Sequence, residues 1–466
     1  MHYKSLLPHV VLSAIAMILS TNMAKAQTDY SHYYVNTPVK LEQPTLPTIP
    51  NLTVSITDFG AKGDGQTLNT EAFEKAIAHL TEKGGGHLTI PAGIWLTGPI
   101  ELKSNIDLHL ERQALLYFSP DKSLYLVPKG KSSRVYPGIR ANDVHDVSIT
   151  GEGIIDGNGA QWRPVKRSKV SDTEWKEFKA MGGIEKQNGS LWYPWQMKSG
   201  IKDIAASPEA QEKMRNDLIR IVNCQRLLIK GVTVQNSPKF HVHPFNSTDV
   251  IIDGITVRCP WNAQNGDAID ISDCHRCLIV NSTVDAGDDG LCMKSGAAKP
   301  TNLVNGCQDI LIEANTVYHA HGGFVIGSES ISGMNRIVVR NCRFAGTDTG
   351  LRFKGGIGRG GKTSDIYIND IMMTDIKDEA IIFQCDYVNK PAGSAAEKEV
   401  KAETEIPEFA DIHISNVVCR TAKRAISAHG IANHRCVYGI TINNCTFTDM
   451  NSDNDIDTAT TEITIK

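Results

Sequence analysis

Residues Ile252 to Val257 read IDGITV, and hexapeptides of the same kind recur along the chain: IKGVTV from Ile229, IVNSTV from Ile279, IEANTV from Ile312, VRNCRF from Val339, INDIMM from Ile368, ISNVVC from Ile414 and INNCTF from Ile442. An earlier relative, ITGEGI, begins at Ile149. From Ile229 onward the copies start 23, 27, 33, 27, 29, 46 and 28 residues apart, mostly the period of a stacked solenoid. Each copy reads as a short strand with period-two alternation, bounded by Gly or Asn turns. One such unit cannot bury its own apolar face, whereas stacked units share a continuous core. The expected fold is therefore all-β, a single-stranded right-handed parallel β-helix. The handedness follows from the general preference of parallel crossovers. A sandwich or propeller fits less well, because hairpin signals at regular spacing are missing.

The flanks add a division of the chain. Residues 1–26 carry Lys4, an apolar run from Val10 to Leu19 and Ala24-Lys25-Ala26 before Gln27, the pattern of a secretory signal peptide. A periplasmic or secreted destination follows. No later segment has the length of a membrane span, so no membrane insertion is expected. Residues 27–50 form an N-terminal extension and residues 51–466 the β-helix domain. Insertions are expected at about 158–217 and 387–408, where the rhythm breaks. Asn69 to Thr81 has the periodicity of a helix capped by Asn69 or Thr70, with Ala72, Phe73, Ala76, Ile77 and Leu80 on one face, placed to cover the open end of the stack. A net charge of −4 gives no nucleic-acid footprint. Eleven cysteines, an odd number, leave at least one unpaired. Most fall in or beside strand patterns and read as small buried residues, with one or two disulfides open; Cys274 and Cys277 lack the second pair that a zinc site needs.

Within the repeats, Asp285 to Gly296 reads DAGDDGLCMKSG and sets Asp288 beside Asp289. Adjacent strand residues face opposite ways, so both acids reach one site only where the backbone bends, which Gly287 and Gly290 permit. Solenoid spacing then stacks Asp267 one rung before the pair, His321 one rung after, and Arg352 with Lys354 on the rung beyond. Glycosidic hydrolysis needs one protonated carboxyl and one ionised carboxylate, and crowded acids separate their pKa values to supply both. The two cations have a purpose if the substrate is anionic: beside a uronate carboxylate they would hold and orient the ring.

These residues resemble the polygalacturonase family of glycoside hydrolases, family 28, whose members degrade pectin on a pectin-lyase-like solenoid. The likeness covers nearly all of the mature chain, from ITDFGAKGDGQTLNTEAFEKAI at Ile56 onward. Asn265-Gly266-Asp267 matches that family's Asn-Thr-Asp, Asp288-Asp289 its Asp pair, Ala320-His321-Gly322 its Gly-His-Gly, and Arg352-Phe353-Lys354 its Arg-x-Lys. Gly266, Ala320 and Gly290 depart from the pattern, at small residues beside retained chemistry. The resemblance implies Asp288 as general acid, Asp267 and Asp289 as the acids that position and deprotonate water, and inversion at the anomeric carbon. It implies His321 as support for the acid, and Arg352 and Lys354 as ligands of the sugar carboxylate. The SPKFHVHP stretch resembles a segment of bacterial members, placing His243, with Lys294, on the glycone side. The implied partner is an acidic plant polysaccharide, pectin or oligogalacturonides; no metal and no cofactor is implied. Relatives that cleave rhamnogalacturonan lack the His and Arg-x-Lys features, so galacturonate on both sides of the cut bond is favoured over other pectic side chains. A pectate lyase would bind Ca2+, for which an Asp pair with a stacked His is a poor oxygen-only cage. A non-catalytic polysaccharide-binding solenoid has no need of three clustered acids. The long first insertion, with Trp162, Trp175, Trp192, Tyr193 and Trp195, suggests a groove closed at one end and exo attack releasing galacturonic acid.

Overall fold

The computed structural model describes residues 29–127, 135–186, 188–194, 207–296, 306–388 and 405–466. The expected leader at 1–26, Trp195 and most of the second insertion, 389–404, lie outside the described residues. Residues 1–37 form one unit, of which residues 29–37 are described and contain a single 3-10 turn, Ser31–Tyr34. Residues 38–466 form the other, a right-handed parallel β-helix.

Its strands stack in three parallel columns. The first passes through Ile219–Lys230, Thr248–Asp253, His275–Val280 and Cys307–Glu313. The second passes through Thr233–Gln235, Thr256–Arg258, Thr283–Asp285 and Thr316–His319. The third, here the cleft sheet, passes from the start of Ile219–Lys230 through Val242–Phe245, Ile269–Ser272, Leu291–Ser295, Gly322–Ser330, Thr349–Lys354 and Glu379–Gln384. The first residues of the hexapeptides lie directly over one another: Ile149 on Ile229, then Ile252, Ile279, Ile312, Val339, Ile368, Ile414 and Ile442. All are fully buried, so the periodicity is the core itself.

The hexapeptide bridges two columns, however. In the copies from Ile229, Ile252, Ile279, Ile312 and Ile442 its first two residues end a strand of the first column and its last two enter the second, while Met334–Ala345, Gly361–Thr374 and Pro407–Ala422 run unbroken through the same corner. The third residues, Gly231, Gly254, Asn281, Ala314, Asn341, Asp370, Asn416 and Asn444, all have φ between 50° and 79°. Gly, Asn and Asp dominate this position because they tolerate the left-handed region, and the amides also link rungs, as in Asn444 Nδ2 to Asn416 Oδ1 at 2.7 Å. The Gly/Asn signal therefore lies inside each repeat unit and not at its borders.

The helix Thr70–Glu82 closes the N-terminal end with the expected face buried: Ala72, Phe73, Ala76, Ile77 and Leu80. Asn69 occupies the N-cap position without capping; its amide instead donates to the carbonyls of Lys62, Thr67 and Leu96. Part of the N-terminal extension runs along the solenoid. The backbone N–H groups of Glu42, Thr45 and Thr48 donate to Asp309, Asp249 and Asp146, each of which also holds an arginine of the next rung. Three residues of extended, proline-rich chain rise ~9–10 Å, which matches two rungs of ~4.8 Å. All eleven cysteines are free thiols and ten are buried.

Ala314 is the one hexapeptide corner occupied by a residue that gains nothing from φ of 57°, and it is exposed. Replacement by Asn should stabilise the fold by ~1 kcal/mol, read as a higher midpoint of urea unfolding. An unchanged or lower midpoint would contradict this account of the corner.

Candidate active site

Alternation along the cleft sheet aims the site residues outward. In Thr349–Lys354, Phe353 points inward and stacks on Phe383 at 4.5 Å, which leaves Arg352 and Lys354 side by side on the outer face. In Leu291–Ser295, Leu291 and Met293 are core, and Lys294 faces out. In Ile269–Ser272 the same rule aims Asp270 outward between Ile269 and Ile271.

The acids enter on the turns that precede these strands, and backbone hydrogen bonds stack the turns. His241 N–H donates to Asp267 O, Ala268 N–H to Asp289 O, His321 N–H to Asp288 O and Thr349 N–H to His321 O, at 2.8–3.1 Å. The register therefore brings Asp267, Asp288, Asp289 and His321 together as the sequence spacing requires. The bend between Asp288 and Asp289 occurs with neither flanking glycine at positive φ. A Cβ on Gly287 would stand 2.6 Å from the carbonyls of Pro260 and Ala263, and one on Gly290 3.0 Å from that of Gly322. These glycines serve close approach between turns and not unusual torsion.

Each buried acid has its own electrostatic setting. Asp289 is neutralised by Lys354 Nζ at 2.6 Å, with Arg352 at 3.6 Å. Burial, the largest influence, pushes its carboxyl up, as does the charge of Asp288, but Lys354, Arg352 and Lys294 together hold it below the ordinary range. Asp267 lies 3.5 Å from Lys294, which is shared with Asp270 at 3.3 Å. Burial, then the charges of Asp270, Asp288 and Asp289, push Asp267 well above the usual carboxylate range. Asp288 accepts from His321 Nδ1 at 3.0 Å. Burial acts to raise its carboxyl, while the hydrogen bond from His321 and the charge that ring would carry if protonated, with Lys354 and Lys169 behind it, act to take it below. Asp267 and Asp288 are thus pushed in opposite directions within one cleft. Asp267 Oδ1 and Asp289 Oδ1 accept no hydrogen bond among the described residues.

Two residues expected to line the site have other duties. His243 is buried, with Nδ1 at 2.8 Å from Asp217 and Nε2 at 3.0 Å from Ser272 Oγ, so both ring nitrogens are engaged. Lys294 is the counter-ion of Asp267 and Asp270, its pKa raised well above the ordinary value by those charges against the pull of burial. Asp288, Asp289 and His321 offer ligand atoms within 4.8 Å of one another. Lys354 and Arg352 already balance Asp289, and a hard cation placed there would face them and one nitrogen donor, an ill-matched set.

Several participants escape sequence reasoning. Asp270 could have been found by applying strand alternation to AIDIS beside Asp267. Tyr387, whose ring centroid lies 5.7 Å from Arg352 and 5.4 Å from Lys354, opens the second insertion without any local signal. Lys169, from the first insertion, reaches His321 Nε2 at 3.1 Å and Gly287 O at 2.9 Å. Among the described aromatic residues of that insertion, Trp175 and Trp192 with Val165 form a small core of their own, and Trp162 and Tyr193 are also buried. The insertion does sit against the catalytic turns, through a Val165–Ala263 bridge, Arg163 on Ser237 O and Arg215 on Gln264 O.

Crowded carboxyls in different electrostatic settings, beside paired cations on a solenoid sheet, are the equipment of a glycoside hydrolase. The model of glycosyl hydrolases family 28 matches residues 166–465, and the chain belongs to that family. It is 31% identical over 345 residues to a probable polygalacturonase of Vitis vinifera, covering 69% of this chain and 61% of that one. It is 27% identical over 351 residues to an exo-poly-alpha-D-galacturonosidase of Dickeya chrysanthemi, covering 72% and 57%. The chain thus spans about three-fifths of the length of these relatives. Among solved structures, a hyperthermoactive exopolygalacturonase from Thermotoga maritima superposes with a TM-score of 0.72 at 28% identity, over 91% of this chain and 93% of that one. The polygalacturonase of Erwinia carotovora, 19% identical with a TM-score of 0.61 over 92% and 99%, shares the fold.

His241 gives a pH signature. It is fully buried, accepts from Ser237 N–H at Nε2 and donates from Nδ1 to Asp267 O at 2.8 Å, and burial lowers its pKa from 6.5 to about 4. Unfolded chain binds this proton between those values and folded chain does not. The contribution is present above pH ~6.5 and lost as pH falls towards 4, amounting to ~3 kcal/mol. In His241→Asn, which keeps a donor to Asp267 O, unfolding free energy should fall less steeply across that window. Parallel curves for the two proteins would contradict the assignment.

Proposed function

We propose that this enzyme hydrolyses α-1,4-galacturonosyl linkages of pectic polysaccharide with inversion, acting from the non-reducing end and releasing galacturonic acid. The observation that carries the substrate class is Arg352. Lys354 is committed to Asp289, whereas Arg352 approaches a carboxylate only at 3.6 Å among the described residues and keeps part of its side chain exposed. A guanidinium held beside a tyrosine ring on the cleft face suits the carboxylate of a uronate.

In this reading Asp288 protonates the leaving glycosidic oxygen. Asp267 Oδ1 and Asp289 Oδ1, which accept no hydrogen bond among the described residues, hold the attacking water, and one of the two carboxylates takes its proton. Lys294 and Lys354 keep these acids in place and charge-balanced. His243 acts through the buried network behind Asp270.

Exo attack is supported by the insertion fastened across the turns from Ser237 to His321, which walls one side of the cleft, and by similar chains that bear exo-acting names. The leader-like residues 1–26 support action in the periplasm or outside the cell, and no described helix is long and apolar enough to cross a membrane. Product analysis on long polygalacturonate tests the mode. Monomer should accumulate from the first minutes while viscosity falls slowly. An early spread of oligomers with rapid loss of viscosity would overturn exo attack, and no turnover on any galacturonide would overturn the substrate class.

A further inference from the structure

Lys169 belongs to no catalytic motif, yet from the first insertion it reaches His321 and the turn that carries the acid pair. An ammonium has only donors. At 3.1 Å from His321 Nε2 and 2.9 Å from Gly287 O, Lys169 therefore makes Nε2 an acceptor, and the ring hydrogen must sit on Nδ1, which faces Asp288 Oδ1 at 3.0 Å. His321 is then a neutral donor to Asp288 and not its counter-ion.

The distinction decides where one proton resides. A protonated Asp288 beside neutral imidazole and an ionised Asp288 beside imidazolium carry the same net charge, but only the first can give a proton to a glycosidic oxygen. The second needs a hydrogen on Nε2, where the Lys169 ammonium already points. Asp348 would welcome that hydrogen, since its Oδ2 lies 3.8 Å from Nε2, although Lys377 at 2.8 Å offsets its charge and also stands 3.4 Å from His319. The charge of Lys354 also acts on Asp288, and Lys166 adds positive charge near Lys169. We propose that Lys169 is a positioning residue that keeps His321 neutral with hydrogen on Nδ1, so that the proton of the Asp288–His321 pair rests on Asp288. This rests on the reading of Asp288 as general acid.

The test compares the whole enzyme with Lys169→Met by 15N NMR of labelled histidine, His321 being assigned by its loss in His321→Gln. In the parent, Nε2 should remain an unprotonated acceptor from pH ~5 to 8; in Lys169→Met it should acquire hydrogen within that range. On polygalacturonate, Lys169→Met should lower kcat about tenfold with little change in KM. The alkaline limb of its kcat profile should move up by about one pH unit, because a repelling charge is lost and a second protonation site opens. Adding Asp348→Asn should bring the limb back down. A parent His321 already protonated at Nε2 across the range would overturn the proposal, as would a lowered kcat with an unmoved limb, the mark of a merely structural lysine. The NMR reading needs no substrate, so it separates failure of this proposal from failure of the substrate assignment.

Discussion

Parallel rungs lie ~4.8 Å apart, and whatever side chains the register superimposes must live at that distance. In the cleft this forces Asp267, Asp270, Asp288 and Asp289 into one largely buried cluster. Buried carboxylates cost several kcal/mol each unless paired, and removing one partner of such a pair costs ~3–5 kcal/mol. The same register supplies the remedy, since Lys294, Arg352 and Lys354 point outward on strands of the same sheet as Asp270. Apolar residues on those outward positions would make a more stable solenoid. The cluster is therefore a functional expense set on a core that can carry it, the unbroken stack of aliphatic side chains and the Phe324, Phe353, Phe383 and Phe409 group beneath the cations.

The parts legible in the sequence are those that the repeat controls. Nine hexapeptide starts predict nine superimposed core residues, and the intervals from Asp267 to Asp288, His321 and Arg352 predict their stacking, because a solenoid turns sequence separation directly into rung number. The end helix was legible for a similar reason, its apolar face being set by a period of 3.6. What was not legible falls outside the periodicity. Lys169 and Tyr387 arrive from insertions whose path no repeat fixes. The insertion's tryptophans suggested by composition a segment closing one end of the groove, and composition did not show that a segment leaving the solenoid must build its own core, which Trp175 and Trp192 form with Val165. His243 lies in register but is consumed by Asp217 and Ser272, a competition that residue spacing cannot display.

The geometry also divides labour within a motif that reads as a single unit. Arg352 and Lys354 project from the same face, yet Lys354 is almost wholly buried against Asp289 and Arg352 is not. One neutralises the enzyme's own acid, and in the proposed reading the other is left for a uronate carboxylate. The central claim is that the cleft recognises an anionic sugar through Arg352 while Lys354 maintains the acids. The most direct measurement is kcat/KM for galacturonan and for its methyl ester in Arg352→Ala and Lys354→Met. Arg352→Ala should lose on the order of a hundredfold on the free acid, the ~2–3 kcal/mol of a charge-assisted pair, and only a few-fold on the ester. Lys354→Met should lose activity on both alike. An unchanged ratio of the two substrates in Arg352→Ala would contradict the account.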